Sequence, residues 1–359
     1  MTRKKYIAFF LPSLNIGGVE QVFICYANYL LKKDYKVDFI LCKVEGLLLE
    51  RLSTRIHIVS LGNVRLKKSF WKLRGYLKCA KPDWVMTGGD FPNLVLLIST
   101  MWLCHKPKII ISQHNYNNTE TKQMGVWAKV GLQLMKRLYP HADKVVAISD
   151  GIYEYLNRDL RIPINRLIKL NNPIDIEGIR VNCREKINFY LPPNYIVFIG
   201  RFSVVKNLPF LLHSFDSANL NGMSLVIVGD GNDRNRIEDT IAKMVNKDKV
   251  YLMGALSNPL PVLLKAKALA LPSLSEAFPT ILLEAMCLGK PIVSTPTKGA
   301  IEILKGYPLS FVSKDFEDIP AFSSLLAKAV GSSSLNNLAV MDRYSINSIL
   351  NKFEKDVIS

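Results

Sequence analysis

The sequence predicts an α/β protein made of two doubly wound domains, each built on a parallel sheet. Three observations carry this prediction. The 359 residues, 49% of them hydrophobic, exceed one ordinary core and suit two domains of about 150–200 residues. Short apolar runs with strand character alternate with runs of helical spacing, which is typical of parallel sheets with right-handed crossovers. This alternation restarts in the second half, after an Asn-Pro pair at 172–173.

Most predicted strands end at glycine, proline or a polar residue, where a ligand can approach the carboxyl end of the strand. In the first half we expect strands at Tyr6–Leu11, Val37–Cys42, Trp84–Met86, Ile109–Ser112 and Lys144–Ile148. In the second half we expect them at Tyr195–Ile199, Leu225–Val228, Val250–Met253, Ala268–Leu271 and Pro291–Ser294. Helices are expected at Glu20–Leu31, within the apolar run Leu94–Cys104, and at Tyr344–Val357.

The domain boundary is predicted at the Asn-Pro pair, so that residues 1–172 form the first domain and residues 173–343 the second. Residues 344–359 form a final helix that can cross back to the first domain. Two such domains leave a cleft between them, which is the default place for a ligand. No apolar run reaches the roughly 20 residues of a membrane span. No cleavable export signal follows the first strand, so we expect the chain in the cytoplasm.

The net charge of +17 is concentrated in the first half of the chain. Residues 1–172 hold 27 Lys and Arg against 12 Asp and Glu, whereas residues 173–359 hold 20 against 18. A basic surface of this kind suits nucleic acid, anionic lipid or a phosphorylated substrate.

Residues 64–81 contain seven Lys and Arg and no acid. Four apolar residues recur there at helical spacing: Leu66, Phe70, Leu73 and Leu77. A basic amphipathic helix with Trp and Phe suits an anionic membrane surface. The alternative is a helix that packs on its own domain and leaves a solvated basic face.

The stretch Ser273–Thr295 carries two carboxylates eight residues apart, Glu276 and Glu284. Between them lies a turn that predicts the start of a helix: Phe278, Pro279 and Thr280. The free N–H groups of a helix start suit a phosphate, Glu276 can accept from sugar hydroxyls, and Glu284 can accept from a ribose. The alternative is one Glu that stabilises the helix dipole and one ordinary surface Glu. The apolar neighbours of Glu284 predict burial, and a buried carboxylate needs partners.

Arg201 and Lys206 follow the strand Tyr195–Ile199. At a strand's carboxyl end they can neutralise a diphosphate, the Arg bidentately and the Lys as a point charge; the alternative is a pair of solvated surface charges. Four glycines stand where a backbone can approach a phosphate: Gly17, Gly18, Gly229 and Gly254. Gly17-Gly18 also fits a plain tight turn, and it is not the G-x-G-x-x-G of dinucleotide binding.

His114 lies just past the strand Ile109–Ser112, which places it at the cleft edge of the first domain. There it can hydrogen-bond a sugar or take part in proton transfer, and the alternative is a histidine that caps the strand end. The sequence has no D-x-D and no His/Cys/Asp cluster at metal-ligand spacing. We therefore expect no metal and no other cofactor, with Arg201, Lys206 and helix dipoles neutralising the charge.

In their order and spacing these motifs resemble the retaining nucleotide-sugar glycosyltransferases of family 4, over nearly the whole length. The motifs stand as LNIGGVEQ, QHN, ADKVVAIS, NNPID, FIGRFSVVKN, LVIVGDGNDR, VYLMG and SEAFPTILLEAMCLGKPIVS. The resemblance implies the GT-B fold, in which two Rossmann-like domains face each other across a cleft.

The resemblance also implies roles in binding the donor. Arg201 and Lys206 match the family's diphosphate-binding pair, Glu276 matches the carboxylate at the donor sugar, and Glu284 matches the one at the ribose. Ala277 departs from the family, which most often has Gly at this position. The added methyl group is expected to narrow the sugar pocket or to shift the turn.

Gly17 and Gly18 match the family's glycine-rich turn near the donor phosphates, and His114 matches a histidine on the acceptor side. We therefore expect an enzyme that moves a hexose or N-acetylhexosamine from a UDP-sugar to a glycan, with retention. The expected acceptor is polyprenyl-linked, in surface polysaccharide synthesis of the O-antigen, capsule or lipopolysaccharide type. The expected partners include an anionic membrane surface, at the inner face of the plasma membrane. We expect no nucleic-acid partner. The alternatives are a GDP-mannose-dependent mannosyltransferase, a nucleotide-sugar epimerase of the same fold, and a basic nucleic-acid-binding protein.

Overall fold

The computed structural model describes residues 4–15, 17–116, 126–218, 220, 222–335 and 339–358. Ile16, in the motif LNIGGVEQ, lies outside them. The chain divides into two compact units. The first consists of Met1–Pro173 together with Ile346–Ser359, and the second is Ile174–Ser345. The C-terminal helix therefore belongs to the first unit.

The first unit contains a seven-stranded parallel sheet. Its strands are β1 (Tyr6–Leu11), β2 (Lys36–Leu41), β3 (His57–Ser60), β4 (Trp84–Gly88), β5 (Lys108–Gln113), β6 (Lys144–Ala147) and β7 (Leu167–Lys169). Their order in the sheet is β3-β2-β1-β4-β5-β6-β7. The chain order reverses beside β1, which pairs with both β2 and β4. In doubly wound sheets, ligands bind at the carboxyl ends of the strands beside such a reversal.

The first-unit helices follow the strands. They are α1 (Gly18–Lys32), α2 (Phe70–Ala80), α3 (Asp90–Thr100), α4 (Val126–Leu138) and α5 (Asp150–Arg158). α1 buries one apolar face at three- and four-residue spacing, which includes Phe23, Ala27 and Leu30. α5 begins where the side chain of Ser149 accepts a hydrogen bond from the N–H of Ile152, as expected of an N-cap serine.

The second unit contains a six-stranded parallel sheet. Its strands are β8 (Tyr195–Ile199), β9 (Ser224–Val228), β10 (Val250–Gly254), β11 (Ala268–Leu271), β12 (Ile292–Ser294) and β13 (Ser310–Val312). Their order is β10-β9-β8-β11-β12-β13, so the reversal lies beside β8. The helices are α6 (Ile176–Asn182), α7 (Leu208–Ser217), α8 (Arg234–Ala242), α9 (Leu260–Lys265), α10 (Thr280–Cys287), α11 (Lys298–Leu304) and α12 (Ile319–Val330).

The last helix, α13 (Ile346–Asp356), packs into the core of the first unit. The ring of Phe353 stacks on Tyr26 with 4.3 Å between ring centroids. Tyr29 on α1 donates a hydrogen bond of 2.8 Å to Asn351. α13 is therefore part of the core beside α1.

All ten predicted strands are present, with bounds that agree within two residues. The apolar run Leu94–Cys104 was expected to be helical, but the helix there is α3, which begins at Asp90 and ends at Thr100. None of the helices among the described residues is both long and apolar enough to cross a membrane.

The structure corrects the prediction for residues 64–81. Leu66 lies in a separate 3-10 turn, Leu66–Lys68, and α2 begins only at Phe70. Leu73 and Leu77 are fully buried within their own unit, so these two side chains cannot face lipid. The alternative interpretation, a helix packed on its own domain, is correct for them, and the basic face remains exposed.

Candidate functional site

The predicted cation and carboxylate of the second unit meet at the carboxyl ends of neighbouring strands. Lys206 ends a 3-10 turn, Val204–Lys206, that follows β8, and Glu276 lies in the loop that follows β11. The Nζ of Lys206 lies 2.5 Å from Oε1 of Glu276. The hydroxyl of Ser273 donates to the same oxygen at 2.6 Å. Two separate sequence motifs are therefore joined by one ion pair.

This ion pair is largely shielded from solvent. The side chain of Lys206 is 22% exposed and that of Glu276 is 12% exposed. Interactions between charges strengthen where water is excluded. The ion pair lies beside β8, where the strand order of the second sheet reverses.

Arg201 lies next to this cluster in sequence, one residue past Gly200 at the end of β8. Its side chain is exposed, and within the described part of the chain it makes no hydrogen bond or ion pair. The five N–H donors of a guanidinium fit two oxygens of one phosphate. Arg201 is therefore a cation that is available to a diphosphate.

The N-terminus of α10 lies in the same loop, immediately after Pro279. The first N–H groups of a helix have no intrahelical partner, and no side chain caps this end. Phe278 and Pro279 are buried, and the ring of Phe278 packs edge-on against Tyr344 with 5.7 Å between centroids. Their side chains thus anchor the turn, and a ligand would meet the backbone of Phe278 and Thr280.

Glu284 lies one turn further along α10, on the same face as Thr280. Thr280, Ile281 and Glu284 are partly exposed, whereas the residues between 281 and 284 are buried. Among the described residues the carboxyl group of Glu284 has no hydrogen-bond partner, and burial raises its pKa to about 7. The partly exposed side of α10 thus carries a carboxyl group without a partner among the described residues. The apolar neighbours of Glu284 predicted a buried carboxylate with partners, whereas the structure leaves this side chain partly exposed and unpaired within the described chain.

Two glycines at strand ends, Gly229 and Gly254, adopt backbone conformations that favour glycine. Gly229 has φ of +145°, and a Cβ there would overlap the carbonyl oxygen of Gly200. Its N–H donates to the carbonyl of Gly254 at 2.8 Å. Gly254 has φ of +70° with open space beside it. Close packing of strand ends explains Gly229, and the predicted ligand contact of both glycines stays a prediction.

In the first unit, Gly17 is the N-cap of α1 and Gly18 is its first residue. A Cβ at Gly17 would overlap the carboxyl group of Glu20, which folds back toward the start of its own helix. Burial raises the pKa of Glu20. The predicted phosphate site at this turn therefore already holds a side-chain carboxyl group. No sequence feature indicated this contact, because an acid such as Glu20 is common in the first turn of a helix.

His114 follows β5 and is 8% exposed. Its Nε2 shares a hydrogen bond of 2.7 Å with the hydroxyl of Ser112, and Phe23 contacts its ring edge-on. Burial lowers the pKa of His114 to about 4, so the imidazole is neutral at pH 7. His114 is thus a neutral hydrogen-bonding group and not a source of positive charge.

A buried polar network that the sequence did not reveal holds the end of β5. Gln113 donates to Asp90 at 2.8 Å and accepts from the hydroxyl of Tyr139 at 3.1 Å. Asn93 donates to the carbonyl of Ser112 at 3.0 Å. Gln113 stands beside His114 in the QHN motif, which was the available signal. The network fixes the backbone from which His114 projects.

No group of three His, Cys, Asp or Glu side chains that could hold a metal ion occurs among the residues described above. The expectation that the protein needs no metal and no other cofactor stays a prediction.

Two family profiles match consecutive parts of the chain. The profile described as Glycosyltransferase Family 4 matches residues 16–177, and the profile described as Glycosyl transferases group 1 matches residues 180–339. Together they cover both units.

Two relatives extend this finding. A Campylobacter jejuni N-acetylgalactosamine-N,N'-diacetylbacillosaminyl-diphospho-undecaprenol 4-alpha-N-acetylgalactosaminyltransferase is 26% identical over 319 residues, 84% of this chain and 83% of the relative. An uncharacterized glycosyltransferase of Methanocaldococcus jannaschii is 26% identical over 253 residues. That match covers 67% of this chain and 62% of the relative, so it spans less than two thirds of the archaeal protein.

Among solved structures, Anabaena HepE in complex with UDP and glucose superimposes with a TM-score of 0.79 at 16% sequence identity. The superposition covers 99% of this chain and 100% of that one. At this level of identity the likeness shows a common fold.

Proposed function

The chain belongs to the glycosyltransferases of family 4 and has the GT-B fold, and on this premise we propose that it moves a hexose or N-acetylhexosamine from a UDP-sugar to a lipid-linked glycan. The observation that carries the proposal is the cluster at the ends of β8 and β11. There Lys206 pairs with Glu276 while Arg201 stays unpaired among the described residues. Two cations and a carboxylate suit a diphosphate joined to a sugar.

In the proposed binding mode, Arg201 and Lys206 neutralise the diphosphate, and the N–H groups at the start of α10 bind one of its phosphates. Glu276 accepts from a hydroxyl of the donor sugar. Glu284 accepts from the ribose diol, which gives a partner to a carboxyl group that has none in the described chain. The likeness to HepE, solved with UDP and glucose, supports UDP over GDP as the nucleotide.

In the proposed reaction the bond between the anomeric carbon and the diphosphate breaks, and an acceptor hydroxyl forms the new bond on the same face of the sugar. The hydroxyl proton passes to the departing diphosphate oxygen. Positioning and stabilisation of the leaving charge by Arg201 and Lys206 lower the barrier. His114, neutral at pH 7, serves the acceptor as a hydrogen-bonding group. Charge neutralisation by side chains leaves no step that needs a metal ion.

The proposed acceptor is a polyprenyl diphosphate-linked glycan in surface polysaccharide synthesis. The Campylobacter relative, whose name specifies a diphospho-undecaprenol substrate, supports this choice. Such an acceptor lies in a membrane, and we place the contact at residues 64–81. The exposure of Lys67, Lys68 and Lys72 and the 73% exposure of Trp71 support this placement.

A thermal-shift panel tests the donor: UDP-glucose, UDP-galactose, their two N-acetylated counterparts and GDP-mannose. A ligand at 100 times its Kd stabilises the folded chain by about 2.7 kcal/mol, so one UDP-sugar should raise Tm clearly above the others. A rise with GDP-mannose alone indicates the mannosyltransferase instead. No rise with any of the five contradicts the proposed function.

The best donor is then incubated with and without a polyprenyl diphosphate-linked sugar. Transfer requires the acceptor, and UDP release should follow its concentration. Conversion of the donor sugar to its epimer without acceptor indicates the epimerase and contradicts the proposed reaction.

A further inference from the structure

The position of Ser273 at the donor cluster has a consequence for how Glu276 recognises a sugar. Ser273 is fully buried. Its hydroxyl donates to Oε1 of Glu276 at 2.6 Å, and Oε1 also lies 2.5 Å from Nζ of Lys206. A carboxylate oxygen has two lone-pair sites. Both sites of Oε1 are therefore used, whereas Oε2 accepts no hydrogen bond from the described residues.

The backbone that carries this arrangement is held at both ends. The hydroxyl of Thr295, just past β12, donates to the carbonyl of Ser273 at 2.5 Å. The N–H of Gly299 donates to the carbonyl of Glu276 at 3.1 Å. A Cβ at Gly299 would overlap the carbonyls of Glu276 and Ala277, so α11 approaches the loop closely. The remaining freedom of Glu276 is in its side-chain torsions.

Ser273 and Lys206 restrict these torsions in different ways. Lys206 carries a charge, and a diphosphate in the site would compete with Glu276 for its ammonium group. The Ser273 hydroxyl is neutral and buried, and its strongest acceptor within reach is the carboxylate. Ser273 can therefore hold Oε1 after the diphosphate has engaged Lys206.

We propose that Ser273 is a positioning residue that holds Oε1 of Glu276 and leaves Oε2 as the oxygen that accepts from the hydroxyls of the donor sugar. The inference rests on the proposed function, because it assumes that a nucleotide sugar occupies this site. A carboxylate that is held by one oxygen presents its other oxygen at a fixed position. It therefore distinguishes a sugar from an epimer whose hydroxyl points elsewhere.

The test compares Ser273→Ala with wild type, using UDP and the UDP-hexose or UDP-N-acetylhexosamine that stabilises wild type most, together with its C4 epimer. Kd is measured by calorimetry. For Ser273→Ala we expect the Kd for UDP to stay within about twofold, because its contacts lie on Arg201, Lys206 and α10. The preference for the sugar over its epimer should fall by about tenfold, the usual effect of losing a hydrogen bond to a charged group.

Two further variants separate positioning from general stability. Ser273→Thr keeps the hydroxyl and should restore part of the sugar preference. Ser214→Ala removes a buried hydroxyl of α7 that bonds the carbonyl of Phe210 at 2.8 Å, away from the cluster. It should leave the preference unchanged.

The inference is overturned if Ser273→Ala melts cooperatively, binds UDP and keeps the wild-type preference between epimers. It is also overturned if Ser214→Ala loses as much preference as Ser273→Ala. A wild-type chain that binds neither UDP nor any UDP-sugar contradicts the proposed function and the inference together. A chain that binds and discriminates without regard to Ser273 contradicts the inference alone.

Discussion

Glu284 shows how a single carboxyl group can link ligand binding to stability. Its pKa is raised to about 7 from an ordinary value of 4.5 because burial disfavours the charged form. Between these two pH values the folded chain holds a proton that the unfolded chain has lost. By linkage, stability then falls as the pH rises through this range. A ribose that donates to the ionised carboxylate would offset this loss.

We predict that Glu284→Gln removes this pH dependence. Between about pH 5 and about pH 8 the wild-type chain should lose on the order of 1–3 kcal/mol of unfolding free energy that the variant keeps. Urea denaturation at both pH values measures the difference. Glu317→Gln, at an exposed carboxylate of the same unit, should behave as wild type. Parallel curves for Glu284→Gln and wild type would show that this carboxyl group is not the source.

At the level of single residues, sequence reasoning found the charged groups and missed the neutral ones around them. Lys206 and Glu276 are 70 positions apart, and only the adjacency of β8 and β11 brings them together. Ser273 carried no signal, since a serine beside a strand has many ordinary roles. Gln113 was indicated only by its place beside His114 in the QHN motif. The roles of the charged residues in binding stay predictions until a ligand is tested.

At the scale of secondary-structure elements, α2 combines side chains that pack within the first unit with basic side chains that are exposed. Its leucines Leu73 and Leu77 are buried in the first unit. Arg74 donates to the carbonyls of Ser99 at 3.3 Å and Trp102 at 3.1 Å, where α3 ends. A cation at a helix C-terminus is stabilising. Arg74 is thus a structural residue, and the exposed lysines of this region are the ones available to a membrane.

We therefore predict that replacing four exposed lysines with Gln weakens binding to anionic vesicles: Lys67, Lys68, Lys72 and Lys78. At about 1 kcal/mol per basic residue near the surface, the loss should approach a thousandfold in affinity. Sedimentation with vesicles rich in phosphatidylglycerol measures it.

A matched variant changes four exposed lysines of the second unit to Gln: Lys243, Lys247, Lys249 and Lys265. This variant lowers the net charge by the same amount as the first variant, and it should still sediment with the vesicles. If both variants sediment with the vesicles to the same extent, residues 64–81 have no specific role in membrane binding.

The strands that the sequence did not predict are all sheet edges: β3, β7 and β13. An edge strand pairs on one side only and needs less apolar surface than an inner strand. β7 and β13 also have three residues each, too few for a periodic pattern to be recognised. Most inner strands are longer apolar runs, which the sequence pattern was sufficient to predict. The inner strand β12 also has three residues, but all three are buried.

At the scale of the whole molecule, part of the positive charge of the first half has a structural explanation. Basic residues occupy the last turns of α1, α2 and α5. Lys36 and Lys108 begin strands β2 and β5. In a doubly wound fold helix C-termini and strand starts lie at the same edge of the sheet, and cations there offset the helix dipoles. The charge excess alone therefore does not predict a nucleic-acid partner.

The two-unit organisation was readable from the sequence because the strand pattern restarts, and each sheet has its reversal beside the strand that opens its unit. The reversals at β1 and β8 follow from chain order in doubly wound folds. The donor cluster lies at the second reversal. Its contacts depend on loop conformations that apolar periodicity does not encode.

The most direct measurement is a calorimetric titration of the best UDP-sugar into wild type, Lys206→Ala and Lys247→Ala. Lys247 is an exposed lysine of the same unit, outside the cluster. We predict one site per wild-type chain, the same Kd for Lys247→Ala, and at least a tenfold weaker Kd for Lys206→Ala, as expected from losing a charge-assisted contact to a diphosphate. A folded Lys206→Ala chain that binds the UDP-sugar as tightly as wild type would contradict the assignment of the nucleotide sugar to this cluster.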